Sequence, residues 1–401
     1  MDLRSDQPFA LLKNGLGEAF PPLGKAERCD VAVIGAGISG ALVADELVAN
    51  GLDVVVIDKR DAGHGSTAAS TALLQYEVDT PLSRLIPLVG RDHALRAYRL
   101  GVEALEHIHD AVRGLGAECG YAARPSLFVA RHERDVRLVE EEYKLRREID
   151  PKLKYLDAGA IAERFPFDGA AALYSRIGAE VDCYRLCHLL LKRAEKRGAR
   201  VHDNTAVSKV VRARGGFRIQ TDREFDVTAR TVVFCTGYES REFIPRENTG
   251  CLRSTYVVAS EPIADFSTWP DRCLIWETGH PYYYLRTTAD NRAYIGGLDD
   301  DFRSPKLRDA AVPRKAGILV RRFRSMFPDI PWETYCAWGG TFGETKDGLA
   351  YLGEAPSLPG AFFVLGYGGN GITYSAIAAQ LARDFVLRRK NKDVDIFRFG
   401  R

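Results

Sequence analysis

The stretch 29–58, CDVAVIGAGISGALVADELVANGLDVVVID, limits what this chain can fold into more than any other part of it. An apolar run at 31–34 enters a turn with glycines at 35, 37 and 40. A helical pattern follows, and a second apolar run at 54–57 is closed by Asp58. That order is a βαβ unit, in which each glycine has a physical reason. Gly35 permits the tight turn, Gly37 lets a pyrophosphate approach the backbone, and Gly40 lets the helix pack close to the strands. Ile38 and Ser39 open the helix, where free N–H groups and the helix dipole favour an anion. Asp58 stands about where a carboxylate accepts hydrogen bonds from both hydroxyls of an adenosine ribose, and an acid there disfavours a 2′-phosphate. A glycine-rich turn without a ligand is the alternative, and the strand-helix-strand context argues against it.

Residues 366–371, GYGGNG, fit the same glycine spacing, but too little chain follows Gly371 for another helix and a strand ended by an acid. Context separates the two matches.

With 401 residues, 46% of them hydrophobic and 27% charged, the chain has material for two domains and a substantial core. Its net charge of +2 gives no reason to invoke nucleic acid or an anionic membrane surface. No apolar run is long enough to cross a bilayer, and the N-terminus lacks the pattern of a signal peptide. The expectation is a cytoplasmic protein with no integral membrane segment. The cysteines form no CxxC pair and stand mostly in apolar segments, as buried free thiols do. Cys183 and Cys187, next to His188, could share a helix face, but without a second ligand pair the expectation is no metal.

The expected fold class is α/β: a Rossmann-like nucleotide-binding domain interleaved with an α+β domain built on a mostly antiparallel sheet. The first domain is expected to take 29–90, 165–240 and 336–395, the second 91–164 and 241–335, with 1–28 an irregular arm draped over the surface. The segment 59–72 is rich in small and hydroxyl residues and too long for an ordinary turn. Such side chains let a backbone lie flat against a ligand, and Ser66 and Thr67 offer hydroxyls to phosphate oxygens; a flexible loop is the alternative. From 80 to 165 the pattern is mostly helical, with a strand at 126–130, and 186–197 is a helix ended by Gly198. Strands are expected at 200–211 and 216–221, and the apolar strand 231–237 puts Thr236 and Gly237 at the carboxyl edge of a sheet. Between 241 and 335, runs at 252–260, 274–277, 282–286 and 293–297 carry clustered aromatics and precede a helix at 318–327. A strand at 362–365 then leads through GYGGNG to a final helix at 372–389.

The order and spacing of these pieces resemble the D-amino acid oxidase family of FAD flavoproteins, and within it the group that includes glycine oxidase, monomeric sarcosine oxidase and γ-glutamylputrescine oxidase. The resemblance covers about residues 28–390. It implies FAD in the first site, met at its pyrophosphate by Gly35, Gly37, Ile38, Ser39 and Gly40 and at its ribose by Asp58, with Lys59 or Arg60 bordering the adenine. It implies that Gly65, Ser66, Thr67, Ser70, Thr71 and Ala72 wrap the phosphates and one flavin face, that Val207 offers backbone to the adenine, and that Thr236 and Gly237 close over the pyrophosphate. Gly340 belongs to the same implied set. So do Gly368, Gly369, Asn370, Gly371, Ile372 and Thr373, which place a helix N-terminus near the flavin pyrimidine edge, where negative charge accumulates on reduction.

The implied reaction is dehydrogenation of a carbon–nitrogen bond in a small-molecule amine or amino acid by hydride transfer to flavin N5, giving an imine that water hydrolyses. Arg286, with Tyr284 beside it, is nominated as the carboxylate anchor, because a planar guanidinium pairs with a carboxylate in bidentate fashion. Tyr367 and Trp338 are expected to line the pocket and orient the amine. The alternatives are a structural salt bridge for Arg286 and core packing for Trp338.

The chain also departs from its relatives. Where some carry a histidine that bonds to flavin, this chain has Ala68 and Ala69, and Cys336 stands far ahead of Asp347, so the expectation is non-covalent FAD. Tyr294, with Arg292 nearby, takes the place of a lysine that activates dioxygen, which leaves the electron acceptor, dioxygen or another, undecided. Cys183 and Tyr184 stand where many relatives have a proline at a helix start. Two other functions compete: a partner-dependent or non-catalytic flavoprotein subunit of a larger dehydrogenase, and a nicotinamide-dependent dehydrogenase. The oligomeric state is open.

Overall fold

In the computed structural model, which describes residues 2–5, 7–247 and 249–401, the first strand Glu27–Ile34 lies between two parallel neighbours, Val54–Ile57 and Val227–Phe234. Central parallel strands are covered on both faces, which is why 31–34 and 54–57 are apolar without alternation and wholly buried. Arg200–His202 extends the sheet beyond Val54–Ile57. On the other side, Val227–Phe234 shares its edge between antiparallel Gly216–Thr221 at its start and parallel Ala361–Leu365 at its end. Val207–Ala213 and Tyr351–Glu354 complete this sheet of eight strands.

Four helices share the core on one face of this sheet: Ile38–Ala49, Cys183–Lys196, Gly371–Val386 and Arg91–Arg113. Asp182 caps the second of them by accepting from the Arg185 N–H, so the departure at Cys183 and Tyr184 leaves the helix start intact.

A second sheet of eight strands runs Thr334–Glu344, Cys251–Ser260, Ala293–Asp301, Tyr283–Thr287, Leu274–Glu277, Ser126–Ala130, Ala171–Ser175, Lys154–Asp157. Every pairing is antiparallel except that of Leu274–Glu277 with Ser126–Ala130. Successive side chains of a strand point to opposite faces, and here the two faces have different employment. Leu127, Val129, Ile275, Tyr283 and Leu285 pack under the helix Pro305–Met326 with Trp269, Phe323 and Phe327. Phe128, Trp276, Tyr282 and Tyr284 face the other way.

Several sequence expectations need correction. The arm is buried at Leu3, Phe9, Phe20 and Leu23, forms the helix Phe9–Asn14, and pairs Arg4 with Gly340. The expected strand 200–211 is two strands, because Asn204 adopts a φ of 46° and turns the chain between them. The helix expected at 318–327 begins at Pro305, with Ser304 capping Leu307 and Pro313 accommodated inside. Residues 171–175 and 336–344, assigned to the first domain, lie in strands of the second sheet, whereas 91–113, assigned to the second domain, packs in the first core through Leu95, Tyr98, Leu105 and Ile108. Among the described residues no helix is long and apolar enough to cross a membrane.

Phe323 is fully buried between Trp269, Phe327 and Trp332. Phe323→Ala is expected to lower stability by about 3–5 kcal/mol, read as a reduced midpoint in urea denaturation.

Candidate active site

A cavity of about 490 Å³ runs between the two sheets. This is the size of a small-molecule or cofactor site. Gly35, Gly37, Ile38 and Ser39 line it, with Asp58, Lys59 and Arg60 beside them. The turn has no room for side chains: a Cβ on Gly35, whose φ is +109°, would stand 2.4 Å from the Cys235 carbonyl oxygen. A Cβ on Gly37 would approach Thr67 Oγ1 to 2.9 Å. Gly40 does not line the cavity. A Cβ there would fall 1.8 Å from the Gly35 carbonyl oxygen, so its role is the close packing that holds the helix start in place.

Asp58 accepts from the Ala36 N–H at 2.6 Å and the Arg60 N–H at 2.9 Å. Burial raises its pKa, against those two bonds and the Arg60 charge. Lys59 and Arg60 both bond to Glu239, and although burial opposes it, these partners hold the Glu239 carboxyl down at about 2. Val207, Thr205, Thr236 and Gly237 continue this wall.

The segment after Asp58 is ordered rather than a loose loop. Ser66–Ala69 forms a helical turn, and Gly65, Ser66, Thr67, Ser70, Thr71 and Ala72 all line the cavity. Thr67 Oγ1 accepts from the Ile38 N–H at 2.9 Å, which ties this segment to the glycine turn. Gly340 lines the cavity too, and Gly368, Gly369, Asn370, Gly371 and Ile372 bring the N-terminus of Gly371–Val386 to it. Thr373 lies outside, buried, with its hydroxyl donating to the Gln75 carbonyl at 3.0 Å.

These residues suit the dinucleotide end of a flavin: backbone without side chains at the turn, a carboxylate at the end of the second strand, and hydroxyls of Ser66 and Ser70 facing the same space.

Of the nominated catalytic residues, Tyr284 and Tyr367 line the cavity. The Tyr284 ring lies against Gly296, where a Cβ would come within 2.5 Å of it, and the Tyr367 hydroxyl donates to the Val364 carbonyl at 2.6 Å. Arg286 and Trp338 do not line it. Arg286 is 4% exposed, and its guanidinium donates to the carbonyls of Thr71, Thr287 and Val181 and lies 4.7 Å from the Tyr294 ring centre. Two residues on from Tyr284, it keeps the same face of the strand, but there the 70–72 segment covers it and engages its donors, and Glu180 lies 4.0 Å from its guanidinium. Trp338 packs with Phe9, Val257 and Tyr294 and donates its indole N–H to the Ala69 carbonyl at 3.0 Å. Both residues support the ligand-facing segment from behind.

Residues not singled out from the sequence fill the remaining wall: Phe128 stacked on Trp276 at 4.1 Å, Tyr282, Gln75, Glu77, Asp79, Arg84, Glu277, His280, Asp299 and Glu344. The clustered aromatics of 274–286 were the available signal for two of them, Trp276 and Tyr282. The acidic ones come from four separate segments and gave none. Cys235 is the one cysteine that lines the cavity among the described residues, and burial pushes its thiol well above the ordinary range.

Residues 30–385 match the DAO family, described as FAD dependent oxidoreductase. Glycine oxidase of Geobacillus kaustophilus is 27% identical over 373 residues, covering 90% of this chain and 94% of that protein. Gamma-glutamylputrescine oxidoreductase of Escherichia coli is 25% identical over 390 residues, covering 94% of this chain and 88% of that protein. Among solved structures, glycine oxidase from G. kaustophilus aligns with a TM-score of 0.75 at 22% identity, over 94% of this chain and 99% of that one. L-proline dehydrogenase from P. horikoshii aligns with a TM-score of 0.76 at 17% identity, over 93% and 97%. The structural likenesses speak for the fold, and the family match spans most of the sequence from the first strand to the closing helix: the chain belongs to the DAO family of FAD dependent oxidoreductases.

Proposed function

We propose that this chain holds FAD non-covalently and oxidises the carbon–nitrogen bond of a small amine or amino acid, the resulting imine being hydrolysed by water. The observation that carries this reading is the continuity of one cavity from the glycine turn and Asp58 to the aromatic face of the second sheet. A cofactor held at the turn would share its cavity with that face. The names of the relatives support the substrate class, since glycine and gamma-glutamylputrescine are both amines.

When bound, the flavin supplies a two-electron acceptor for a substrate hydride. The chain's own part is placement and exclusion of water. Asp58 accepts from ribose hydroxyls, and the helix start at Ile38 offers N–H groups to the pyrophosphate. The N-terminus of Gly371–Val386 offers its dipole to charge that develops on reduction. Phe128, Trp276 and Tyr284 form an apolar wall that holds the substrate carbon and keeps water from it. No cysteine other than Cys235 lines the cavity among the described residues, and Cys336 does not, which supports a flavin held without a covalent bond.

The first test is an absorption spectrum of the purified chain before and after anaerobic addition of pooled amines and amino acids. The expected result is oxidised-flavin bands that bleach with one pool, with the flavin released to the supernatant on acid precipitation. Colourless protein that does not take up added FAD overturns the proposal, and flavin retained in the acid pellet overturns its non-covalent part. Air restores the bands of an oxidase, whereas a dehydrogenase needs an added acceptor.

Arg286 gives a second test. Removing its three donations leaves buried carbonyls unpaired, so Arg286→Met is expected to cost about 3 kcal/mol of stability. In the folded fraction KM should move less than about threefold, whereas loss of a bidentate carboxylate anchor would raise it by about tenfold or more.

A further inference from the structure

Away from the glycine turn, two carboxylates of the cavity wall form no ion pair among the described residues. Glu77, Asp79, Glu277, Asp299 and Glu344 all line the cavity. Three of them are paired: Glu77 with Arg146, Glu277 with Arg322 and Arg131, and Glu344 with Arg253. Asp79 and Asp299 form no ion pair among the described residues. Asp79 accepts from the Gly369 N–H at 2.7 Å and from Asn370 Nδ2 at 3.0 Å, neutral donors both. Lys59 and Arg60, the lining cations toward the nucleotide end, are taken up by Glu239. Arg84 also lines the cavity, but no ion pair links it to either acid.

Asp79 lies within electrostatic reach of Asp299 and Glu344 on the same wall. Burial pushes Asp79 up to about 7, and while the Gly369 N–H draws it down, Asp299 and Glu344 raise it further. Burial likewise pushes Asp299 up to about 6, with Glu344 adding to it and Thr255, His280 and Lys315 drawing it down. Both acids also raise Tyr282, which lines the same wall. Both residues are open to the cavity, although protein surrounds their carboxyls closely enough to raise them.

A separate observation concerns hydrogen bonds rather than charge. Glu77 Oε2 and Glu277 Oε2 belong to cavity-lining residues that are 3% and 2% exposed, and neither oxygen has a hydrogen-bond donor. Such a wall has acceptors in excess of donors, and buried acceptors are ordinarily satisfied. An ammonium group brings three donors and a positive charge. Tyr282 and Trp276 line the same cavity, and aromatic rings favour a cation as well.

We propose that Asp79 and Asp299 form a cation subsite, so that the substrate is an amine bearing a second positively charged group rather than an α-amino acid held by its carboxylate. This rests on the reading of the cavity as the amine-oxidising site. The amine that loses hydride must be neutral at that moment, so the acid pair serves the group that is not oxidised.

The test is isothermal titration calorimetry of the flavin-loaded chain at pH 8 with 1,4-diaminobutane, butylamine and 4-aminobutanoate. The diamine is expected to bind about tenfold or more tightly than butylamine, and 4-aminobutanoate more weakly than either. Diamine affinity should fall as the pH is lowered from 8 to 5.5, because protonation of Asp79 and then Asp299 removes the charges that attract it. Asp299→Asn should reduce the diamine advantage below about threefold while leaving the flavin spectrum unchanged. Should that variant fold poorly, Asp79→Asn carries the same expectation, with its amide oxygen still able to accept from Gly369. Equal binding of diamine and butylamine overturns the subsite, as does tighter binding of 4-aminobutanoate, which would point to Arg84 as a carboxylate anchor. The two readings fail separately. A diamine that binds preferentially but never bleaches the flavin leaves the subsite standing and sinks amine oxidation, whereas bleaching by glycine with no diamine preference does the reverse.

Discussion

The close approach of backbone at the Gly35 turn is the constraint on which the rest of this structure depends. A Cβ at Gly40 would collide with the Gly35 carbonyl, and one at Gly35 with the Cys235 carbonyl. Removing those side chains lets the helix Ile38–Ala49 begin directly over the ends of two parallel strands, with its N–H groups turned into the cavity. Asp58 then fastens the end of the second strand to the turn through Ala36, and Thr67 fastens the following segment to Ile38. Three stretches of chain thus form one rigid rim, and none could be repositioned without breaking the others.

The second sheet supplies what the first cannot. Its alternation divides each strand between a packed core under Pro305–Met326 and an aromatic wall facing the cavity. Position along a strand matters as well as face. Arg286, two residues beyond Tyr284 and on the same face, has its donors spent on the backbone of the ligand-facing segment and of its neighbours. A charged side chain in the core is tolerable when its nitrogens find acceptors and a countercharge is near; each of the three nitrogens here donates to a carbonyl, and Glu180 lies 4.0 Å away. The charge presented to the cavity on this side is instead acidic, at Asp79 and Asp299.

Most of the nucleotide end was legible because its requirements are local. A tight turn, a helix start and an acid at a strand end each need particular residue types at fixed spacing, and Gly35, Gly37, Ser39 and Asp58 stand where that spacing puts them. The small-residue segment after Asp58 was legible for the same reason. Arg286 and Trp338 were misread because residue type names what a side chain can do, while what covers a strand face at each point along it is decided by distant chain: the 69–72 segment lies over both. The N-terminal arm was misread because its pairing partner, the strand Thr334–Glu344, lies at the far end of the chain.

By itself the sequence determined the βαβ unit, the class of fold, the family and the residues that gather at the glycine turn, since all of these follow from local spacing and from the order of motifs along the chain. Only the tertiary structure decided which side chains reach the substrate wall. The loop residues Glu77 and Asp79 and the strand residues Trp276 and Asp299 come from three segments widely separated in sequence, and the strand residues join the wall through strand pairing and face alternation. Pairing between distant strands is set by the burial of whole faces rather than by any local pattern, so the charge of that wall appears only once the faces have closed.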